Sequence, residues 1–473
     1  MKNAVLGIDL GTSSVKALCV YPDGRTVRAG KAYPARNADG WGKTLLSLLS
    51  EMDLSEVCAV GLSSQVGTYM IEGVPEPIHW YDNVGDAECA GWREGDSPET
   101  FVREIGMPHP LIRSYPLPRI RYILERYGKT VDGHPRRICQ PKDYLCHLLT
   151  GRWITDTCSM RGLAHPTGAY SRYFLRKLGI TEEWLPPLTD PAGLVGTITA
   201  EIASVTGLPE DTPVYCGCND FYTGMLGLGV GNTGEAFDVT GTSEHIGILC
   251  DSMDPHTPLV ISPYLHTNVL YGVTASSGSS LNFAIRNYGM EQIEALKEPD
   301  PDAPLFLPYV NGERAPIWDG DARGVYFGIQ ADCDHAGLAY SVLEGVAFSI
   351  YQICESMGMT AEKMLVGGGA SEDPFLNTLK ASLFGIPVIS TREKESSALG
   401  GAMWAAVGSG LSADVNDAIH TYVRPSRIFE PRKEWTETLR ARFTVYKNLY
   451  PALRESFQLL KKRSDTVEKE EKL

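Results

Sequence analysis

The chain has no excess of positive charge, no long apolar run and no cysteine framework, and each absence argues against a class of partner or of protein. Its 473 residues contain 43 Lys and Arg against 58 Asp and Glu, a formal net charge of −15. Nucleic acids and anionic membranes both bind through clustered cationic side chains. We therefore expect neither as a partner. Local N–H groups and a metal ion could still hold a small anionic ligand.

The composition favours a cytoplasmic globular protein. No apolar run reaches the roughly 18 residues that span a membrane, and Asp9 interrupts the first apolar stretch, so we expect no signal peptide. The eleven cysteines are mostly isolated within apolar segments, which is typical of reduced thiols in the cytosol. The length and the 43% apolar content predict two or three domains with substantial cores.

Two short glycine-hydroxyl turns are the most informative feature that is present. Gly11-Thr12-Ser13 and Gly241-Thr242-Ser243 each follow an apolar strand and lead into another. Glycine lets the backbone bend tightly and approach a ligand, and adjacent N–H and hydroxyl groups can surround phosphate oxygens. One such turn is common in β-proteins. Two copies, one in each half of the chain, indicate two similar domains that face one nucleotide.

Strand-like and helical patterns alternate along the chain, which predicts an α/β architecture. Residues 57–63 and 213–220 have the pattern of buried strands, whereas residues 141–151 predict a short helix with proline in its first turn and a glycine stop. The boundary between the two halves is predicted in the glycine-rich segment 229–234.

Two aspartates are candidates for catalysis, and each has an alternative. Asp220 ends a predicted buried strand, where open α/β sheets bind their ligands, and is our candidate for a catalytic base. It could equally be the N-cap of the helix that follows. Asp9 could bond its own turn or orient a hydrated Mg²⁺ beside the first phosphate turn, and its otherwise apolar strand favours the metal.

Two loops have open interpretations. Residues 367–370, Gly-Gly-Gly-Ala, could let a flat ligand approach the backbone or could form only a tight turn between a strand and a helix. Residues 312–316, with Trp318 and Asp319, could form an ordinary ion-paired loop or a loop that closes a cleft. The pattern alone decides neither.

The ordered set of motifs resembles the FGGY family of carbohydrate kinases, within the superfamily of actin-like ATP-binding folds. The resemblance extends from residue 4 to about residue 408. It rests on residues 7–13, 62–65, 80–82, 141–151, 155–156, 217–220, 241–243, 307–314, 328, 344–347, 367–370 and 398–402.

This resemblance implies two actin-like (ribonuclease H-like) domains, residues 1–231 and 232–473, with ATP and a sugar in the cleft between them. The first would carry the sugar site, the base and the first phosphate turn, and the second would carry the second phosphate turn and the adenine side. A homodimer is common in such kinases.

The implied reaction is phosphorylation of a sugar or polyol hydroxyl by ATP, with Asp220 as the base and Asp9 beside Mg²⁺. Lys16 could add positive charge near the phosphates or could be a partly exposed strand lysine. The residues implied at the nucleotide are Asp9, Gly11, Thr12, Ser13, Lys16, Gly241, Thr242, Gly368, Gly369 and Asp373.

The expected substrate residues depart from the patterns of known subfamilies. Xylulokinases carry Met-His after the glutamine equivalent to Gln65, and glycerol kinases carry Arg-Glu there, where this chain has Val66-Gly67. Xylulokinases also place asparagine after the catalytic aspartate, where this chain has Phe221. A ketose, deoxy-sugar or polyol is therefore expected. The positions expected to meet it are Gln65, Asp82, Asp156 and Phe221.

Two rival functions fit parts of the pattern. Another actin-like ATPase would lack the 80–82 and 312–314 elements and would act on proteins. A degenerate sugar-binding or regulatory homologue would explain the lost substrate residues, although Asp9, Asp220 and both phosphate turns are intact. Sugar-dependent release of ADP separates these alternatives from a kinase.

Overall fold

A computed structural model describes residues 3–108 and 112–470. The first half of the chain, through residue 228, builds one mixed sheet with helices and small hairpins around it. Its elements in chain order are β1 (Ala4–Leu10), β2 (Ser14–Val20), β3 (Thr26–Ala32), α1 (Ala38–Ser50), β4 (Val57–Ser64), β5 (Tyr69–Ile71), β6 (Val74–Ile78), α2 (Asp86–Gly95), α3 (Pro98–Ile105), α4 (Pro116–Tyr127), β7 (Thr130–Val131), β8 (His134–Pro135), β9 (Ile138–Cys139), α5 (Pro141–Thr150), β10 (Thr155–Asp156), β11 (Ala164–His165), β12 (Ala169–Tyr170), α6 (Arg172–Leu178), a 3-10 helix (Glu182–Trp184), β13 (Leu188–Thr189), β14 (Leu194–Thr197), α7 (Ala200–Thr206), β15 (Pro213–Asn219) and α8 (Asp220–Leu228).

The second half builds a second mixed sheet and ends in a long helix. Its elements in chain order are β16 (Ala236–Thr240), β17 (His245–Cys250), β18 (Val260–Tyr264), β19 (Thr267–Val273), α9 (Ser277–Tyr288), α10 (Met290–Ala295), β20 (Leu305–Leu307), β21 (Val325–Phe327), α11 (His335–Ser356), β22 (Met364–Gly368), α12 (Pro374–Phe384), β23 (Val388–Thr391), α13 (Ser396–Gly408), α14 (Val415–Tyr422), β24 (Pro425–Phe429) and α15 (Lys433–Glu470).

The two sheets repeat one arrangement. The first has the order β14-β15-β4-β1-β2-β3, and the second has the order β18-β19-β17-β16-β22-β23-β24. In each, an antiparallel hairpin (β1–β2 or β16–β17) lies beside two parallel strands (β4 and β15, or β22 and β23). Parallel strands end at one edge, so each hairpin turn lies at the ligand-binding edge of its sheet.

A helix from the second half completes the packing of the first sheet. Helix α13 lies so close to β1 and β4 that a Cβ at Gly7 would be 1.8 Å from the Ala398 carbonyl oxygen, and one at Gly61 would be 1.9 Å from that of Gly401. Only glycine permits this contact. A single apolar core, which includes Val5 and α13, therefore continues from one half into the other.

Helix α11 is long and apolar enough to cross a membrane by length and composition. However, 83% of its most apolar window is buried inside the protein. It is therefore the central helix of a core, where an apolar surface on all sides is expected.

Candidate active site

Three parallel strands place their carboxyl ends side by side at the edge of the first sheet. In this register Asp9 of β1 lies opposite Ser63 of β4, and Ser64 lies opposite Asn219 of β15. Asp220 follows Asn219 directly and opens α8. The sheet therefore gathers two carboxylates, which lie far apart in the sequence, at one edge.

Asp220 is not the N-cap of its helix. The Asn219 side chain takes that role and accepts a hydrogen bond from the Tyr222 N–H at 3.3 Å. The Asp220 carboxylate instead accepts a hydrogen bond from the Val66 N–H at 3.1 Å. The ambiguity in the sequence is thus resolved: the local geometry leaves Asp220 available for chemistry.

The protonation of Asp220 is set by its surroundings. Burial and, to a smaller extent, the nearby charge of Asp9 raise its pKa to about 7, against the lowering effects of the Val66 and Phe221 N–H groups and of Arg161. A general base functions best when its pKa is close to the working pH. With a pKa of about 7, the Asp220 carboxyl group can both accept and release a proton near neutral pH.

Asp9 is connected to the helix that Asp220 begins. Its side chain is 7% exposed and accepts a hydrogen bond from the Ser63 hydroxyl at 2.8 Å. The Ser63 hydroxyl also lies 2.7 Å from that of Thr223 on α8. Burial raises the pKa of Asp9, although Ser63 and Lys16 lower it. This chain of contacts fixes the position of Asp9 without a positive charge in direct contact with it.

The arrangement fits a hydrated Mg²⁺. Among the described residues neither Asp9 nor Asp220 forms an ion pair, and Lys16, which lies opposite Asp9 in the hairpin, contacts Glu395 at 2.5 Å. Within residues 3–108 and 112–470 there is no cluster of three or more His, Cys, Asp or Glu side chains that could hold a metal. Mg²⁺ usually keeps several waters and uses one or two carboxylates together with substrate phosphates. Asp9, with Asp220 nearby, offers such a site.

The first phosphate turn is held from two sides. Within it the Gly11 N–H donates to the Ser14 carbonyl at 3.1 Å, and the Tyr33 hydroxyl donates to the Gly11 carbonyl at 3.3 Å. The Trp80 indole donates to the Thr12 hydroxyl at 3.0 Å. Ser13, at the tip, is exposed. These hydrogen bonds therefore hold Gly11 and Thr12 in place while Ser13 remains exposed to solvent.

The second phosphate turn is tied to the triple-glycine segment. The Thr240 carbonyl accepts from the Gly369 N–H at 3.2 Å, and the Thr240 hydroxyl accepts from the Ala370 N–H at 2.8 Å. Gly368 has φ +87°, and a Cβ there would lie 1.9 Å from the Thr240 carbonyl oxygen. The segment is thus a strand-to-helix turn that also supports the exposed residues Gly241 and Thr242.

Asp373 has a structural role in that turn. Its side chain accepts a hydrogen bond from the Leu376 N–H at 2.8 Å and is the N-cap of α12. Its position as the N-cap places it at the start of α12, shortly after the triple-glycine turn.

The acids of the second hairpin are neutralised by a buried lysine. Lys380 of α12 lies 2.6 Å from the Asp238 carboxylate and also contacts Glu244, which accepts a hydrogen bond from Ser277. All three charged side chains are buried. Burial alone would lower the pKa of Lys380, but Asp238 and Glu244 raise it above its ordinary value. This buried charge cluster of Asp238, Glu244 and Lys380 links β16 to the start of β17, on either side of Gly241-Thr242-Ser243.

Asp220 lies between the two halves. Asp9 acts on its pKa from the side of the first turn. The ring of Phe221, the next residue, lies 5.6 Å from His245, which follows the second turn, and 4.7 Å from Tyr271. The start of α8 therefore lies near Asp9 on one side and contacts β17 and β19 of the second sheet on the other.

The 312–316 loop also borders this region. The buried Glu313 side chain accepts hydrogen bonds from the Ala275 and Arg314 N–H groups and from Ser349. The Arg314 guanidinium lies 3.5 Å from the Ser243 hydroxyl. The loop is thus held internally by Glu313 and places Arg314 beside the second turn.

Two of the expected substrate residues lie next to the first turn. Gln65 is buried, its N–H donates to the Leu10 carbonyl at 2.9 Å, and its side-chain oxygen accepts from Thr68 at 3.2 Å. Its side-chain nitrogen has no partner among the described residues. Asp82 is partly exposed and accepts a hydrogen bond from the His79 N–H at 2.7 Å.

Asp156 has a different environment. It has no exposed surface, accepts a hydrogen bond from the Ser159 N–H at 2.8 Å, and lies 3.1 Å from the Lys142 ammonium, which is also fully buried and contacts Asp143. The ion pair occupies the carboxylate that was expected to meet a substrate hydroxyl. We therefore leave Asp156 out of the site proposed below.

Sequence reasoning missed Lys380, Arg161 and His245. Lys380 is the one charged residue in the sequence 374–384, and Arg161 lies in the mostly apolar segment 158–164. A charge within such a segment signals a buried pair or a ligand. That signal was available, but it does not identify the partner.

The two sheets of similar arrangement define an α/β protein with two actin-like domains. The profile described as "FGGY family of carbohydrate kinases, N-terminal domain" matches residues 4–227, and that of the C-terminal domain matches residues 238–409. The chain therefore belongs to the FGGY family of carbohydrate kinases. The resemblance inferred from the motifs is confirmed.

Individual relatives agree with this placement. A xylulose kinase from Staphylococcus epidermidis is 26% identical, over 95% of this chain and 97% of its own. The ligand-bound xylulose kinase structure from Lactobacillus acidophilus has a TM-score of 0.86 at 23% identity and covers 97% of this chain and 99% of its own. The gluconate kinase structure from the same organism has a TM-score of 0.86 at 22% identity with the same coverage. These structures confirm the fold.

Proposed function

We propose that this chain transfers the γ-phosphoryl group of ATP to a hydroxyl of a carbohydrate, with Asp220 as the general base. The observation that carries the proposal is the position of Asp220, which lies near Asp9 at the edge of the first sheet, precedes a ring that contacts His245 of the second half, and has a pKa raised to about 7. Xylulose and gluconate kinases share the fold, and the family is one of carbohydrate kinases.

The proposed reaction begins with proton transfer to Asp220. The Val66 N–H orients the Asp220 carboxylate, which accepts the proton of the substrate hydroxyl. The hydroxyl oxygen then forms a bond to the γ-phosphorus as the bond to the β-phosphate oxygen breaks, and ADP leaves. Asp220 afterwards releases its proton to solvent. Base catalysis of this kind is typically worth about 10²–10⁴-fold.

The phosphates belong between the two turns. In the proposal Gly11, Thr12 and Ser13 contact them from one side and Gly241 and Thr242 from the other, with Gly368, Gly369 and the start of α12 at Asp373 on the adenine side. Asp9 would hold Mg²⁺, which would neutralise charge on the phosphates. Positioning and charge neutralisation supply most of the catalysis in phosphoryl transfer.

The carbohydrate belongs beside Gln65, Asp82 and Phe221. The unpartnered Gln65 amide nitrogen supports this position, because a buried donor without an acceptor is costly and a substrate hydroxyl would satisfy it. Closure of the two halves over the sugar would exclude water and so favour transfer over hydrolysis.

The domain boundary and location form part of the proposal. We place the two domains at residues 1–231 and 232–473, because the first sheet ends at Asn219 and the second begins at Ala236. A cytoplasmic location is supported by buried thiols at Cys146, Cys216 and Cys354.

A screen of ADP release tests the proposal. The full-length protein with MgATP is assayed against pentuloses, hexuloses, heptuloses, polyols and sugar acids, with Asp220→Asn as the matched control. A kinase releases ADP only with its carbohydrate, and the variant does not. Sugar-independent ATP hydrolysis would favour an actin-like ATPase. Sugar binding without turnover in the native protein would favour the degenerate homologue.

A further inference from the structure

A buried guanidinium lies beside the residues that follow the catalytic base. Arg161 is 6% exposed. Its charged group lies over three aromatic rings, 4.7 Å from the Tyr222 centroid, 5.1 Å from that of Tyr115 and 5.7 Å from that of Phe221. Two of these rings directly follow Asp220 in α8, and Arg161 lowers the pKa of Asp220 against the effect of burial. Arg161 therefore lies within electrostatic range of the reacting groups.

Among the described residues, no acidic side chain forms an ion pair with Arg161, although Asp220 lies within electrostatic range of it. Two of the guanidinium nitrogens, Nε and Nη1, are buried without a hydrogen-bond partner. Other buried cations do have acids: Lys142 contacts Asp156, Lys380 contacts Asp238, and Arg442 contacts Glu344. Aromatic faces stabilise a cation only in part, and unmet donors remain costly. An anion is the missing partner.

The surroundings of Arg161 point to the carbohydrate rather than to the nucleotide. Its aromatic contacts are the rings of Tyr115, Phe221 and Tyr222. The charges of Arg161 and Arg119 both act on Tyr69, four residues beyond Gln65, and oppose the effect of burial on its pKa. All three guanidinium nitrogens of Arg119 also lack partners among the described residues. Donors are thus in excess on the Gln65 side of Asp220.

We propose that the carbohydrate is a sugar acid, an aldonate or ketoaldonate, whose carboxylate binds Arg161 while one of its hydroxyls faces Asp220. This rests on the proposed kinase function and names its substrate class. A carboxylate pairs with a guanidinium through charge-assisted hydrogen bonds, and a neutral ketose or polyol cannot. His245 has a pKa lowered to about 4 by burial, Arg314 and Arg161, so it is neutral at pH 7 and adds no competing charge.

Access to Arg161 requires separation of the two halves. Its unpartnered nitrogens are covered in the present arrangement, and Tyr115 of the first half lies 3.3 Å, hydroxyl to hydroxyl, from Tyr271 of the second. The substrate therefore enters when this contact opens and is enclosed when it reforms, as the closing motion of a two-domain kinase requires.

Matched substrate pairs test the proposal in the full-length protein with MgATP. Gluconate is compared with glucose and sorbitol, and xylonate with xylulose and xylitol, by ADP release. We expect kcat/KM for the best acid to exceed that of its neutral counterparts by at least tenfold. In Arg161→Gln this preference should fall at least tenfold, mainly through KM for the acid, with KM for ATP unchanged within about twofold.

Two further variants keep the result interpretable. Arg161→Lys retains the charge and should keep part of the acid preference. Arg121→Gln removes an exposed arginine that pairs with Glu125, and it should leave the preference unchanged.

Each other outcome overturns the inference. Turnover of neutral sugars alone would refute it while the kinase function stands. A lower melting temperature in Arg161→Gln with an unchanged ratio of acid to neutral kcat/KM would make Arg161 structural. If no carbohydrate raises ADP release, the kinase function fails. The inference is then decided by thermal shift, where the absence of acid-dependent stabilisation in the native protein, or its persistence in Arg161→Gln, refutes it.

Discussion

The two hairpins share a Gly-Thr-Ser turn, but their acidic side chains have different partners. In the first, Asp9 is held by a serine hydroxyl, and the lysine opposite it pairs with Glu395 instead. In the second, Asp238 and Glu244 share the buried Lys380. A neutralised acid holds structure, and an acid without a cation remains able to bind a metal or a proton. We therefore propose that the first hairpin is reactive and that the second is structural.

The largest effect on activity should come from neutralising Asp220, the proposed base, which lies near Asp9 of the first hairpin. Asp220→Asn removes the proton acceptor and should lower kcat by about 10²–10⁴-fold. The affinity for ADP, measured by calorimetry, should remain within about threefold, because in the proposal Asp220 faces the sugar and not the adenine. Normal turnover in Asp220→Asn would show that Asp220 is not the base.

Removing Lys380 from the buried charge cluster of the second hairpin should instead lower the stability of the fold. Lys380→Met leaves two buried acids without a cation and should lower the free energy of unfolding by about 3–5 kcal/mol, measured by urea denaturation. The control, Lys447→Met, breaks an exposed pair with Glu355 and should cost less than about 1 kcal/mol. Adding Asp238→Asn to Lys380→Met should restore part of the loss. Equal stability of the two lysine variants would contradict this role.

The kcat/KM of the enzyme should also depend on pH near neutrality. Because burial and Asp9 raise the pKa of Asp220 to about 7, protonation removes the base as the pH falls through that value. We expect kcat/KM to decrease by about tenfold per unit below pH 6 and to level off above pH 8. Melting temperatures across the range control for acid unfolding. A flat profile from pH 5 to 8 would argue against Asp220 as the titrating group.

The smallest effect is expected at the exposed lysine of the first hairpin. The Lys16–Glu395 pair has side chains that are 41% and 27% exposed. Lys16→Met should therefore change the free energy of unfolding by less than about 1 kcal/mol. An increase in KM for ATP above about tenfold in the same variant would assign Lys16 to the phosphates, and an unchanged KM would leave it a surface residue.

Local patterns predicted much of this architecture from the sequence. The helix expected at 141–151 is α5, and the strand expected at 213–220 is β15 followed by Asp220. Short-range rules suffice there, because proline, glycine and apolar spacing act within a few residues. The two-domain actin-like fold followed from the resemblance and is confirmed by solved structures.

What the sequence could not predict depends on contacts between distant residues. The N-cap alternative for Asp220 was settled only by the Asn219 side chain. Lys380 meets Asp238 across 142 positions of the chain, and α13 of the second half packs on the first sheet at Gly7 and Gly61. Tertiary packing, rather than local propensity, determines these pairs.

A crystal structure of the full-length protein with a non-hydrolysable ATP analogue, Mg²⁺ and the carbohydrate found by the screen tests the central claim most directly. The account predicts that the terminal phosphate lies between Gly11-Thr12-Ser13 and Gly241-Thr242-Ser243, with the Asp220 carboxylate within hydrogen-bond distance of the acceptor hydroxyl. A nucleotide bound away from these turns, or an Asp220 carboxylate turned away from the sugar, would contradict it.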